Sequence, residues 1–217
     1  MVVILAAAVT VVAVLLLLVA EHRGDRVGKW TFKPLASTGF VAFALAAGAL
    51  ETPYGIAVLV ALVLSWWGDL LLIPKDKRAF LVGILSFLLG HLAFAAAFVV
   101  AGVSWPWVAL AALVLAIPGA LVGRYVVPKA PERLRKAVIA YIVVITTMVA
   151  FGVGAVAAGA HWLMLAAAFV FYLSDLCVAR NRFVTEGFVN RAFGLPLYYG
   201  AQLAFGVTVW MAAGGMY

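Results

Sequence analysis

The sequence predicts an all-α protein, a polytopic bundle of about eight membrane-spanning helices that forms a single transmembrane domain over residues 1–217. Three observations support this fold class: the composition, the spacing of apolar runs and the distribution of basic residues. Of the 217 residues, 68% are hydrophobic and only 11% are charged, and the mean hydropathy is +1.20. A water-soluble fold cannot cover so much apolar surface, whereas lipid can surround helices whose backbone polar groups are paired internally.

Eight apolar runs have lengths close to the roughly 20 residues that a transmembrane helix needs. They cover residues 2–20, 34–50, 55–73, 79–101, 105–123, 137–158, 161–179 and 194–213. Proline or charged residues separate them, as at Glu51-Thr-Pro53 and between Arg124 and Lys136. Basic residues follow the first run and do not precede it, so we expect a retained first helix and no secretory signal.

The basic residues predict the orientation of the bundle. All 15 Lys and Arg residues lie at or beside the first, third, fifth or seventh connection. Because cytoplasmic loops are enriched in basic residues, these connections are predicted to be cytoplasmic and both termini non-cytoplasmic. We expect a multi-pass protein of the bacterial inner (plasma) membrane. The net charge of +7 then reflects topology and contact with anionic headgroups, and nucleic-acid binding is not expected.

Two acidic residues, Asp69 and Asp175, lie inside the apolar runs, whereas the other six lie in connections. A carboxylate within a bilayer is costly, and it is therefore a candidate functional group. Asp69 precedes Pro74 by five residues and Asp175 precedes Arg180 by five, which places both roughly 7–8 Å inside the cytoplasmic helix ends. Each could instead pair with a neighbouring basic or Tyr side chain and only fix helix packing.

A weak internal repeat relates the third and fourth runs to the seventh and eighth. An aromatic residue followed by His91-Leu-Ala-Phe94 corresponds to an aromatic residue followed by Gln202-Leu-Ala-Phe205. Two helical hairpins related by a pseudo-twofold axis would place the two aspartates opposite each other. We therefore expect the third and seventh helices to be neighbours.

Other polar residues of the helices and their cytoplasmic ends are candidates for substrate binding. They are Lys33, His91, Tyr141, Asn181, Tyr198, Tyr199 and Gln202. Structural alternatives exist for several of them: a snorkelling anchor for Lys33, an interhelical hydrogen bond for His91 and an interfacial belt for the tyrosine pair. Four basic residues could hold a phosphate group, namely Lys33, Arg180, Arg182 and Arg191. The three arginines could instead serve only as topology charges.

No cofactor and no metal site are expected. His22, His91 and His161 are predicted at three different membrane depths, and the only cysteine is Cys177. A zinc site needs several such side chains together at one place.

Five short motifs, taken in order, resemble the YhhN-like lysoplasmalogenase family. They are Lys33-Pro-Leu, Gly68-Asp-Leu-Leu, Gly90-His, Ser174-Asp and Tyr198-Tyr-x-Ala-Gln202. The resemblance covers nearly the whole chain and implies an eight-helix membrane enzyme that acts on a lysophospholipid. That enzyme would hydrolyse the vinyl ether bond of a lysoplasmalogen to a fatty aldehyde and glycerophosphoethanolamine or glycerophosphocholine. By the same resemblance, Asp69 and Asp175 would be its catalytic carboxylates.

Two neighbouring carboxyls in a low-dielectric site rarely both ionise, so a shared proton would provide one acid and one base. The sequence does not indicate which aspartate is the acid, which headgroup is preferred or which oligomeric state forms. The alternative function is a proton-coupled small-molecule or lipid transporter that uses the same pair.

Overall fold

The computed structural model describes residues 1–74 and 76–214, which form eight α-helices and no strand. The predicted all-α fold is therefore confirmed. The helices are α1 (Val2–Arg23), α2 (Arg26–Ala46), α3 (Pro53–Leu71), α4 (Lys77–Ala101), α5 (Trp105–Val126), α6 (Glu132–Ala157), α7 (Leu163–Phe183) and α8 (Phe188–Ala212). A 3₁₀ turn, Val127–Lys129, connects α5 to α6.

Within the described residues, six of the eight helices are long and apolar enough to cross a membrane, and the two that fall short are α2 and α8. Both of these helices carry polar side chains in their interior turns. Ser37 of α2 and Gln202 of α8 are fully buried, so these side chains face the bundle and avoid lipid. The polar side chains that keep α2 and α8 below this threshold are thus directed into the protein interior.

Consecutive helices form hairpins: α1 packs on α2, α3 on α4, α5 on α6 and α7 on α8. The last helix, α8, also contacts α1, α2 and α3, while α4 contacts α6. Helix α8 therefore occupies a central position, and side chains on it can reach groups from several other helices.

Aromatic contacts join the α3–α4 hairpin to the α7–α8 hairpin. The rings of Phe94 and Phe205 stack with centroids 3.9 Å apart and planes 19° from parallel. The rings of Phe87 and Tyr198 lie 5.8 Å apart in an edge-to-face arrangement. Each pair consists of equivalent positions in the predicted repeat, and contacts between equivalent residues are those that a twofold relation produces.

Helix α2 begins eight residues before the predicted run, so the expectation that Lys33 and Pro34 open this helix is wrong. Pro34 lies inside the helix, where it removes one backbone hydrogen bond. The first two turns were missed because they are basic: Lys29, for example, lies 2.9 Å from Glu21 at the end of α1. Side chains that pair with charged neighbours outside the apolar layer lower the hydropathy of a segment without ending its helix.

Two glycines shape the chain around the cluster of Asp69, one through its backbone conformation and one through a close approach of two helices. Gly24 ends α1 with a φ of 68°, a left-handed conformation that favours glycine and reverses the chain into α2. A Cβ atom on Gly68 would lie 2.6 Å from the ring of Phe87, so α3 and α4 can touch only because this position has no side chain. The neighbouring Asp69 is thereby held against α4.

Candidate active site

A cavity of about 740 Å³ extends into the bundle from the end that carries the basic connections. Its walls come from every helix of the bundle, and both Asp69 and Asp175 line it. The other predicted site residues in its lining are Lys33, Tyr141, Asn181 and Tyr198. The structure therefore brings most of the predicted site residues to one place.

Asp69 lies in a cluster built by α2, α3 and α8. Its side chain is almost completely buried, and its Oδ1 lies 3.2 Å from the Lys33 ammonium. Its Oδ2 accepts hydrogen bonds from the Ser37 hydroxyl at 2.6 Å and the Tyr198 hydroxyl at 2.7 Å. The Tyr199 hydroxyl is 3.2 Å from the Ser37 hydroxyl, so Tyr199 supports the cluster from behind without lining the cavity.

Asp175 lies in a second cluster, built by α4, α6 and α7. Its Oδ2 accepts a hydrogen bond from the Tyr141 hydroxyl at 2.6 Å. Nε2 of the buried His91 lies 3.3 Å from the same oxygen, although the contact lacks the geometry of a hydrogen bond. Nδ1 of His91 is 2.6 Å from the backbone carbonyl of Phe87. His91 is not part of the cavity lining and instead lies behind Asp175.

The two carboxylates share no hydrogen-bonding partner among the described residues. Helices α3 and α7 also share no extended interface in this part of the chain, because α3 packs on α2, α4 and α8, and α7 packs mainly on α6 and α8. The expectation of neighbouring site helices is therefore wrong. Helix α8 lies between them, and each aspartate faces the common cavity from its own side.

The expected equal depth of the two aspartates below their helix ends is also wrong. Helix α3 ends two residues after Asp69, whereas α7 continues for eight residues beyond Asp175, to Phe183. Pro74 disfavours helical backbone in the residue before it. Arg180 and Arg182 do not end α7, because basic residues in a last helical turn interact favourably with the helix dipole.

Charged residues surround the mouth of the cavity. The Arg191 guanidinium pairs with Glu21 and lies 3.6 Å from Glu186. Arg182, which lies over the ring of Phe80 at 4.0 Å, also lines the cavity. Glu21 lies in the last turn of α1 and not in the connection that follows the first apolar run, and its contact with Arg191 joins α1 to α8.

Asp76 lies at the same mouth and caps α4. Its carboxylate accepts hydrogen bonds of 2.8 Å from the backbone N–H groups of Ala79 and Arg78. These hydrogen bonds, that of Ala79 foremost, hold the pKa of Asp76 below its usual range, so this carboxylate adds negative charge beside the cationic side chains.

Asn181 lines the cavity, but its side-chain oxygen is committed to the turn between α7 and α8. It accepts hydrogen bonds from the Gly187 backbone N–H at 3.0 Å and the Asn190 side-chain amide at 3.3 Å. Arg180 donates to Asn190 at 2.6 Å. Asn181 and Arg180 thus hold the chain between the two helices.

Gln202 is fully buried one turn beyond Tyr198 and is not part of the cavity lining. Ser37, which the sequence analysis did not select, donates the shortest hydrogen bond to Asp69. Its signal was present in the sequence, since Ser37 follows Lys33 by one helical turn and therefore lies on the same face.

Among the described residues, no group of three His, Cys, Asp or Glu side chains could hold a metal ion. The site consists of carboxylates, hydroxyls, one imidazole and one buried ammonium. This set of groups can donate, accept and stabilise protons and charge.

Residues 28–209 match the family model described as the YhhN family. The lysoplasmalogenase TMEM86A of Bos taurus is 30% identical over 185 residues, which cover 82% of this chain and 72% of the relative. The lysoplasmalogenase TMEM86A of Homo sapiens is 31% identical over 180 residues, which cover 80% of this chain and 70% of the relative. No solved structure matches the chain.

Proposed function

Because the chain belongs to the YhhN family, we propose that it is a lysoplasmalogenase that hydrolyses the vinyl ether bond of a lysoplasmalogen in the membrane. The products are a fatty aldehyde and glycerophosphoethanolamine or glycerophosphocholine. Both relatives are lysoplasmalogenases, which supports the reaction. The observation that supports the site is one cavity, reaching one end of a membrane bundle, whose lining includes both aspartates of the predicted apolar runs.

The chemistry requires two proton-handling groups. An acid protonates the vinyl carbon β to the ether oxygen, which leaves an oxocarbenium ion. Water adds to that ion and loses a proton, and the resulting hemiacetal collapses to the aldehyde and the free glycerol hydroxyl. One carboxylic acid and one carboxylate facing the same cavity supply both functions. We assign them to Asp69 and Asp175.

The charges and the apolar lining support an orientation for the lipid. Cationic side chains at the mouth, including Lys29, Arg182 and Arg191, line the cavity and suit a phosphate group. Deeper in the cavity, the lining includes the apolar side chains of Ile142 and Ile145, which suit the hydrocarbon chain. Lys33 already pairs with Asp69, so we assign it to that carboxylate and not to the phosphate.

The test is aldehyde release by the purified protein in detergent, without added metal. We expect a long-chain aldehyde from a lysoplasmalogen and none from the matching lysolipid with a saturated ether. In isotopically labelled water, the glycerol product should carry no label, because water attacks the vinyl carbon. Label in the glycerol product, or no aldehyde at all, would contradict the proposal.

We also propose that the protein lies in a bacterial inner membrane with the basic connections in the cytoplasm and both termini outside it. The distribution of the 15 basic residues supports this orientation. A reporter fused after Tyr217, a position outside the described residues, should read as non-cytoplasmic. A matched reporter placed after Lys129 should read as cytoplasmic. The opposite readings would reverse the orientation and place the mouth of the cavity outside the cell.

A further inference from the structure

We infer that Asp175 is the acid that protonates the vinyl ether carbon, and that His91 is the positioning residue that keeps its proton in place. This assignment rests on the proposed function and goes beyond it, because neither the sequence nor the family match distinguishes the two aspartates.

Nδ1 of His91 must carry a hydrogen atom. It lies 2.6 Å from the backbone carbonyl of Phe87, and a carbonyl oxygen can only accept. In a neutral imidazole the other nitrogen, Nε2, then carries a lone pair. That lone pair faces Oδ2 of Asp175 at 3.3 Å.

His91 is deeply buried and packs against an aromatic ring. Its side chain is 1% exposed, and the Phe171 ring lies against it with centroids 4.5 Å apart. A charged imidazolium would bind a carboxylate through a short, aligned hydrogen bond of about 2.7–2.9 Å. The longer and misaligned contact with Asp175 is not of that kind.

A lone pair on Nε2 opposes a negative charge on Asp175. Protonation of the Asp175 carboxyl removes this repulsion. Among the described residues, no Lys or Arg side chain pairs with Asp175 to stabilise its negative charge instead. The Tyr141 hydroxyl donates to Oδ2 at 2.6 Å and remains in place to stabilise the carboxylate once the proton has left. The surroundings of Asp175 therefore suit the acid of the reaction.

Asp69 has the opposite environment. The Lys33 ammonium and the hydroxyls of Ser37 and Tyr198 all point hydrogen atoms at it. Three donors stabilise a carboxylate against the cost of its burial. Asp69 is therefore the group that accepts a proton.

The proton transfers balance over one turnover. Asp175 gives its proton to the vinyl carbon β to oxygen, and a C–H bond forms. Water adds to the oxocarbenium carbon and gives one proton to Asp69. The hemiacetal hydroxyl then returns a proton to Asp175 while Asp69 protonates the departing glycerol oxygen as the C–O bond breaks. Both side chains regain their starting states, and one water is consumed.

Infrared spectroscopy tests the assignment without turnover. At neutral pH, the band of a protonated carboxyl group should be present in the unmodified protein and in Asp69→Asn. It should be absent in Asp175→Asn. A band lost in Asp69→Asn but kept in Asp175→Asn, or absent from the unmodified protein, would overturn the assignment. If the band is lost only in Asp175→Asn but no aldehyde is released, the proposed function is wrong while the protonated state of Asp175 is supported.

The role of His91 needs a kinetic readout. An amide N–H in His91→Gln can face Asp175 and favour the carboxylate, so we expect a weaker carboxyl band. We expect kcat to fall at least about tenfold with KM changed less than about twofold, since the loss affects only the proton transfer. Binding of the saturated-ether lysolipid checks that the variant is folded. An unchanged band and an unchanged kcat would remove His91 from this role.

Discussion

The two carboxylate clusters are built from the same residue type and face one cavity, yet their partners are opposite in kind. Asp69 is held by a Lys33 ammonium and two hydroxyls. Asp175 is held by one hydroxyl and by the imidazole of His91. The role of a carboxyl group thus depends on the hydrogen-bond donors, acceptors and charges around it. The following experiments test this difference between the clusters.

The largest expected effect is on turnover. Asp175→Asn should lower aldehyde release by a factor of about 10²–10⁴, the usual contribution of a general acid, because an amide cannot protonate carbon. Release is measured from a lysoplasmalogen in detergent. Glu51→Gln is the matched control, since it removes an exposed carboxylate that does not line the cavity, and it should leave the rate unchanged.

Asp69→Asn should also abolish turnover, and the two losses should not add. If both residues act in one reaction sequence, the double variant Asp69→Asn/Asp175→Asn should be little slower than either single variant. Multiplying losses in the double variant, or full activity in either single variant, would show that the two aspartates do not work as one unit.

Stability should separate the clusters next. Asp69→Asn leaves the Lys33 ammonium buried without its counter-charge, and breaking a buried pair in this way costs about 3–5 kcal/mol. Asp175→Asn leaves no Lys or Arg side chain of the described residues without a counter-charge, so the unfolding temperature of this variant should change much less. The double variant Asp69→Asn/Lys33→Met should recover part of the loss. Equal destabilisation by the two single variants would mean that the clusters do not differ in charge.

The tyrosines provide a finer comparison. Tyr141→Phe removes the hydroxyl that donates to Asp175, and a hydrogen bond to a charged group contributes about 1.5–3 kcal/mol. We therefore expect kcat to fall by about tenfold to a hundredfold. Tyr198→Phe should have a smaller effect, because Asp69 keeps Lys33 and Ser37. Steady-state kinetics of the two variants under the same conditions would show the reverse order if Asp69 were the acid.

The smallest effect is expected at the mouth, outside both clusters. Arg191→Met should raise KM by no more than about tenfold and leave kcat unchanged, because a phosphate contact there binds substrate and transition state alike. Arg124→Met is the control, since Arg124 is exposed and does not line the cavity. A fall in kcat for Arg191→Met would connect the mouth directly to the chemistry.

The sequence predicted the eight-helix fold and both aspartates because each of these signals is strong and local. A carboxylate within an apolar run is conspicuous, and so is a basic connection between two such runs. The partners were harder to find because they depend on packing. Ser37 is one of several serines and threonines, and the carbonyl of Phe87 carries no signal in the side-chain pattern, yet each determines the state of a neighbour.

Errors about helix ends and helix neighbours have the same origin. The first turns of α2 were missed because their basic side chains pair with residues outside the apolar layer, as Lys29 does with Glu21. The placement of α8 between α3 and α7 depends on the shapes of all three helices. Hydropathy along the chain reports whether a segment contacts lipid or water, but not which helix it meets.

In the stack of Phe94 on Phe205, equivalent positions of the two hairpins contact each other, as equivalent residues do at the axis of an isologous dimer. On the axis of such an assembly a residue meets its own counterpart, so a change on one side must suit both. Away from the axis, equivalent positions do not contact each other and can carry different residues, as His91 and Gln202 do. Under the proposed division of acid and base, the imidazole of His91 occupies the position that the amide of Gln202 occupies in the other hairpin, so the two hairpins would differ in function at that position.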